Sequence, residues 1–127
     1  MDKLQEKIPI EVSNRHIHLS IEDLKRLFGK EIKLTLLKKL SQTGQFAANE
    51  TVTLINNQKS LERVRIVGPE RKESQVELSK TDARYLGLDV PIRLSGDLEK
   101  TPGAIISGPN GKIKLKKGVI VAQRHLH

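Results

Sequence analysis

The chain has 127 residues, 36% of them apolar, with two Phe, one Tyr and no Trp, so a single modest core has to be built from Ile, Leu and Val, which favours short β-strands. Lys and Arg outnumber Asp and Glu by 23 to 15, a formal charge of +8 that attracts anionic partners such as nucleic acid, a phosphorylated cofactor or free phosphate. The lack of cysteine excludes disulfides, thiolate metal sites and cysteine nucleophiles; no apolar run nears the roughly 20 residues of a membrane span, and the polar start "MDKLQEKIP" is unlike a secretory signal, so the chain reads as soluble, unexported and cytoplasmic.

The first chemically informative stretch is "SNRHIHLS", residues 13–20, which holds His16 and His18. Alternate residues of a strand share a face, so the two imidazoles should project together. Next comes "LSIEDLKRLFGK": Ser20 suits an N-cap, Asp23 stands three residues on, Leu24, Leu27 and Phe28 form an apolar stripe, and Gly29 supplies a stop. "QTGQFAANETVTL" carries Gly44 and small residues ahead of a strand, compatible with close approach of a ligand or with an ordinary loop. "RVRIVG" and "SQVEL" are further strand-like runs; between them "VGPERKES" sets Arg71 and Lys72 beyond a Gly68-Pro69 turn, with Arg65 upstream. Guanidinium groups on such a turn can fork onto phosphate oxygens, or form a solvated cationic loop.

The helix grammar then repeats. In "LSKTDARYLGLD" Ser79 is the expected cap, Asp82 stands three later, Tyr85 and Leu86 are expected to face inward and Gly87 to stop the helix. Glu77 lies two residues before its capping serine, as His18 lies two before Ser20. "VPIRL", "AIIS", "KIKLK" and "VIVAQ" complete the strand-like runs, separated by turn chemistry such as "SGDLEKTPG" and "GPNGK", with "INNQ" earlier in the chain. Asn110-Gly111 is a hairpin signal, with Pro109 leaving the exact turn open. Together these elements predict a mainly β fold, a small β-barrel with short capping helices.

At the other end, "VAQRHLH" repeats Val-x-x-Arg-His-x-His, so that His125 and His127 complete the four histidines of the chain. His-x-His is a recurrent zinc-chelating spacing, and a carboxylate such as Glu77 would make three protein ligands with a fourth position open. Exposed or hydrogen-bonded histidines are the simpler alternative; the duplication argues against it.

The segments "VSNRHIHLS", "GQFAANETVTL", "VRIVGPERKESQVELS" and "AQRHLH", in that order across nearly the whole chain, closely resemble the phosphate propanoyltransferases, the phosphotransacylases of the propanediol-utilisation type. The resemblance implies two β-barrel domains sharing a two-zinc site that exchanges a short acyl group, propanoyl above all, between coenzyme A and inorganic phosphate. It implies His16, His18 and Glu77 as ligands of one zinc and His125 and His127 as ligands of the second. It further implies Arg71 at the phosphate, and Val12, Ser13, Asn14, Lys59 and Arg65 along the coenzyme A site. With no cysteine or serine triad for a covalent acyl-enzyme, direct attack of phosphate on the thioester is the simpler route.

Members of that family continue for a second barrel. The chain is therefore expected to be truncated and inactive alone, with residues 1–14 as N-terminal segment and first strand, 15–122 as the β-barrel, and 123–127 as the start of a second barrel. Acyl-CoA and phosphate are the expected partners; a homo-oligomer and association with a bacterial microcompartment stay open, and no membrane partner is expected. A basic β-barrel that binds nucleic acid is the competing reading, opposed by the scarcity of aromatic stacking platforms. A purely structural zinc barrel is the third.

Overall fold

The computed structural model describes residues 15–40 and 44–122. In chain order the elements are β1 (Arg15–His18), α1 (Ile21–Phe28), β2 (Leu36–Lys39), β3 (Phe46–Asn56), β4 (Lys59–Gly68), β5 (Gln75–Leu78), α2 (Lys80–Tyr85), β6 (Ile92–Arg93), β7 (Ala104–Gly108), β8 (Gly111–Leu115) and β9 (Val119–Ala122). The fold is mainly β, a sheet curled into a half-barrel with two helices. The strands run β6-β9-β5-β1-β4-β3-β7-β8, with β2 paired to β3 off that path. No helix among the described residues is long and apolar enough to cross a membrane.

Short β1 lies inside the sheet, parallel to β4 and antiparallel to β5. Both faces of β5 and most of β1 are buried. On one face Ile17 and Val76, paired across the strands, join the aliphatic core with Leu24, Leu27, Leu54, Ile66, Leu86, Ile106 and Val119. Period two sends His16, His18, Gln75 and Glu77 to the other. A one-residue slip would exchange the sets, so burial of the aliphatic set specifies where the polar one points.

Both capping serines act as the sequence predicts. Ser20 Oγ accepts the Asp23 N–H and Ser79 Oγ accepts the Asp82 N–H, each satisfying a donor left free in the first helical turn. Gly29, at φ 104°, ends α1 with its N–H donating to Lys25 O. Leu24 and Leu27 are buried as expected and Phe28 packs against the core edge. The Leu27 carbonyl also accepts the Asn110 N–H from the β7–β8 turn.

Tyr85 corrects the expectation of an inward side chain, since it is 47% exposed. Counted from the caps, Tyr85 occupies the place of Arg26 on the polar face of α1, whereas Leu86 occupies that of buried Leu27. The apolar reading was one position too wide.

The β3–β4 hairpin turns through Asn57 and Gln58, both at positive φ, between paired Asn56 and Lys59. That is the backbone of a two-residue type I′ connection. In β7–β8 the paired residues are Gly108 and Gly111, so Pro109-Asn110 forms the loop and Gly111 already belongs to the strand. At the far end of β4, Gly68 pairs with Phe46; a Cβ there would run into the Phe46 ring. β2, whose four residues are all exposed, had no counterpart among the predicted strands. "VPIRL" contracts to Ile92–Arg93.

Candidate metal centre

Four side chains form a two-by-two patch on the face of β1 and β5 away from the aliphatic core. The antiparallel register sets His16 opposite Glu77 and His18 opposite Gln75. His16 Nε2 stands 3.3 Å from Glu77 Oε1, and His18 Nε2 stands 3.3 Å from Glu77 Oε2. The two imidazole rings meet edge to face, with centroids 5.0 Å apart. The ligand-capable atoms of His16, His18 and Glu77 lie within 4.8 Å of one another, and all three residues are buried.

Burial alone would raise the Glu77 carboxyl pKa, but hydrogen bonds from His16 and His18 outweigh it and hold the group well below the usual carboxylate range. His18 moves the other way from its ordinary value: burial pushes its pKa down, against the hydrogen bond to Glu77, and the nearby Arg71 charge adds to the depression. A lowered His18 pKa and a lowered Glu77 pKa both favour cation binding, in which the ion would replace the protons that the imidazoles donate to Glu77. His18 Nδ1 is buried with no hydrogen-bond partner among the described residues. Two imidazoles and a carboxylate on rigid, paired strands are a three-ligand donor set of the kind suited to zinc.

Arg71 is stitched to the same corner. Its backbone N–H donates to Leu19 O at 2.9 Å, just beyond His18, and Ser20 and Arg71 form an isolated bridge. Its guanidinium Nη1 donates to Ser95 Oγ at 3.2 Å. Ser95 Oγ also accepts from Gln75 Nε2 at 3.1 Å, and the same Nε2 donates to Glu77 Oε2 at 2.6 Å.

The other sequence candidates lie elsewhere. Arg65 is in register with His16 across the parallel β1–β4 pair, yet its Nη1 donates to the carbonyls of Ala48 and Asn49 on β3. Lys59 starts β4, about 20 Å along the strand from Arg65, with Nζ 4.9 Å from the Tyr85 ring centroid. Tyr85 lines a cleft of about 530 Å³ with Arg15, Ser60, Arg63 and Asp82, among others. None of that cleft's lining residues belongs to the metal-capable group. Val12, Ser13, Asn14, His125 and His127 lie outside the described residues.

Gln75 and Ser95 were not singled out from the sequence. A signal for Gln75 existed: "HIHLS" and "QVELS" align residue for residue up to the capping serine, which gives Gln75 the address of His16. No comparable signal marks Ser95, whose position comes from the loop beyond β6.

The family model for phosphate propanoyltransferase matches residues 9–127. The chain belongs to that family. A phosphate propanoyltransferase of Thermotoga maritima is 57% identical over 120 residues, covering 94% of this chain and 57% of the relative. One from Citrobacter koseri is 52% identical over 128 residues, covering 100% of this chain and 60% of the relative. One from Salmonella typhimurium is 49% identical over 128 residues, again with 60% of the relative covered. The chain thus spans 57% to 60% of the length of these relatives.

Proposed function

We propose that this chain supplies a zinc-and-phosphate corner of a phosphate acyltransferase, which exchanges a short acyl group, propanoyl in the first instance, between coenzyme A and inorganic phosphate. The observation that carries the reading is the convergence of His16, His18 and Glu77 within 4.8 Å, with Arg71 close by, in a chain of the phosphate propanoyltransferase family. His16, His18 and Glu77 are the residues that would hold zinc. A bound zinc ion would supply Lewis acidity, the capacity to polarise an oxygen or stabilise a thiolate.

Arg71 supports the phosphate side of the reading. Its fork can orient two phosphate oxygens and offset their charge, which a lysine does less specifically. Held this way, a phosphate oxygen forms a C–O bond to the acyl carbon while the C–S bond breaks. The bonding pair leaves on sulfur as the coenzyme A thiolate, and acyl phosphate is released. Arg65, on the strand beside His16, is assigned to the coenzyme A side with Val12, Ser13, Asn14 and Lys59, and His125 and His127 to a second zinc.

A chimera joining this chain at His127 to the C-terminal remainder of the Thermotoga maritima relative tests the reading. With propanoyl-CoA and phosphate it should release free thiol and form acyl phosphate, and chelation should stop both. Arg71→Ala should raise the KM for phosphate more than that for propanoyl-CoA, and Arg71→Lys should recover only part of the loss. Zinc uptake with neither phosphate nor coenzyme A binding would reduce the site to a structural metal centre, and unchanged phosphate kinetics in both variants would remove Arg71 from it.

A further inference from the structure

The residue at the fourth corner of the patch has no role in the reading above. Gln75 is 1% exposed, and a buried primary amide has to find partners for both ends. Its Oε1 accepts the Gly96 N–H at 2.7 Å. A backbone N–H can only donate, so this contact settles which end of the amide faces Gly96 and turns Nε2 the other way. Nε2 then donates to Glu77 Oε2 at 2.6 Å and to Ser95 Oγ at 3.1 Å. Ser95 Oγ is also the acceptor for Arg71 Nη1.

We propose that Gln75 is the positioning residue of this centre. Anchored on Gly96, it holds one oxygen of Glu77 so that Oε1 is the oxygen presented to a cation, and through Ser95 it ties the Arg71 guanidinium to the same array. The inference rests on the metal reading of His16, His18 and Glu77 but adds a residue outside the ligand set. Three observations support it independently of any bound ion. The local repeat puts Gln75 at the address of His16. The strand register sets it directly opposite His18. Its three hydrogen bonds leave neither its amide nor the Glu77 carboxylate free to rotate. A ligand role for Gln75 itself is disfavoured, because Oε1 is engaged by Gly96 and Nε2 has no lone pair to offer.

Hydrogen bonding to a ligating carboxylate fixes its orientation, and loss of such partners typically weakens metal binding by about 10- to 100-fold. The test uses the 127-residue chain with Co²⁺ as probe, read by chelator competition and by the visible d–d spectrum, which reports ligand geometry. Gln75→Met, of similar length but without the amide, should lower Co²⁺ affinity about 10- to 100-fold and alter the spectrum. Ser95→Ala, at an exposed position, should change affinity only a few-fold, because Gly96 still anchors Gln75.

A second measurement needs no metal and no folded Gln75 variant. In NMR of the metal-free chain, the Gln75 side-chain amide should give two slowly exchanging proton resonances displaced from those of a solvated amide, and Glu77→Ala should move them toward the solvated positions and speed their exchange. If the parent binds Co²⁺ and Gln75→Met matches it in affinity and spectrum, the positioning role is overturned while the metal reading stands. If the parent takes up no Co²⁺ but the protected amide is present, the metal reading fails and the orientation of Glu77 by Gln75 stands. A freely exchanging Gln75 amide in the folded parent overturns the proposal outright.

Discussion

The unit of β1 and α1 and the unit of β5 and α2 share one template: a five-residue segment with polar side chains at its first and third places, a capping serine at its fifth, and an aspartate three residues later. They differ in what they bury. The first carries Leu24 and Leu27 into the core and reaches the β7–β8 turn. The second has a helix of six residues, which buries Ala83 and turns Tyr85 outward. They also differ in chemistry, two imidazoles against an amide and a carboxylate. Similar local codes thus build one unit anchored more deeply and another that completes its polar patch, because antiparallel pairing sets the two polar pairs face to face.

The largest expected effect tests the difference in anchoring. Leu24→Ala should destabilise the chain by about 2–5 kcal/mol in urea unfolding, the usual cost of a buried Leu truncated to Ala. The matching α2 position is already Ala83, and Ala83→Gly should cost nearer 1 kcal/mol, chiefly through helix propensity. A Leu24→Ala cost below about 1 kcal/mol would mean that α1 is not the deeper anchor.

Acid should come next, acting on both units in one direction. His18 has a depressed pKa in the fold, so the unfolded chain takes up its proton first. Stability should begin to fall as pH drops below about 6.5. Glu77 is also depressed; its contribution is complete above the unfolded value of about 4.3 and is lost as pH falls from there through its lower folded value. Burial sets the direction for His18, with the Arg71 charge adding to it, and the hydrogen bonds from His16 and His18 set it for Glu77. Metal-free unfolding curves between pH 8 and pH 3 check this expectation. Glu77→Gln should remove its carboxylate contribution to the lower part of the decline, and an unchanged lower part would contradict the assignment.

The caps should show the two units at their most alike. Ser20→Ala and Ser79→Ala each remove one acceptor for a first-turn N–H, and each should cost about 1 kcal/mol. A markedly larger loss at Ser20 would reveal a contribution from the second network there, in which Ser74 Oγ accepts the Ser20 N–H and donates to Asp23. The smallest effect is expected at Arg15→Lys, which breaks a two-bond fork onto Asp82. Arg15 is 37% exposed, so solvent screening should keep the loss below about 1 kcal/mol, and high salt should reduce it further.

Much of the framework was legible because its signals are local. Serine caps, glycine stops and the hairpin turns each act over a few residues, and the all-aliphatic core follows from a composition with few aromatics. Elements defined mainly by their neighbours were less legible. β2 has four exposed residues and exists by pairing with β3, and Ile92–Arg93 become a strand by pairing with β9. The site divides in the same way. His16, His18 and Glu77 could be named from spacing and repeat, whereas Ser95 enters through a loop with no motif of its own.

By itself the sequence determined which side chains share a face, since strand period two ties His16 to His18 and Gln75 to Glu77, and it determined where both helices begin, since a serine hydroxyl can satisfy a first-turn N–H only at its own position. Tertiary structure decided that these two pairs face each other, that Gln75 turns its Nε2 to Glu77, and that the Arg65 guanidinium is held by β3 carbonyls. The reason is physical: periodicity and capping are short-range, but the register of β1 on β5 is selected by burying Ile17 and Val76 together. The direction of each buried polar group is then set by the partners that chain-distant segments bring within hydrogen-bonding reach.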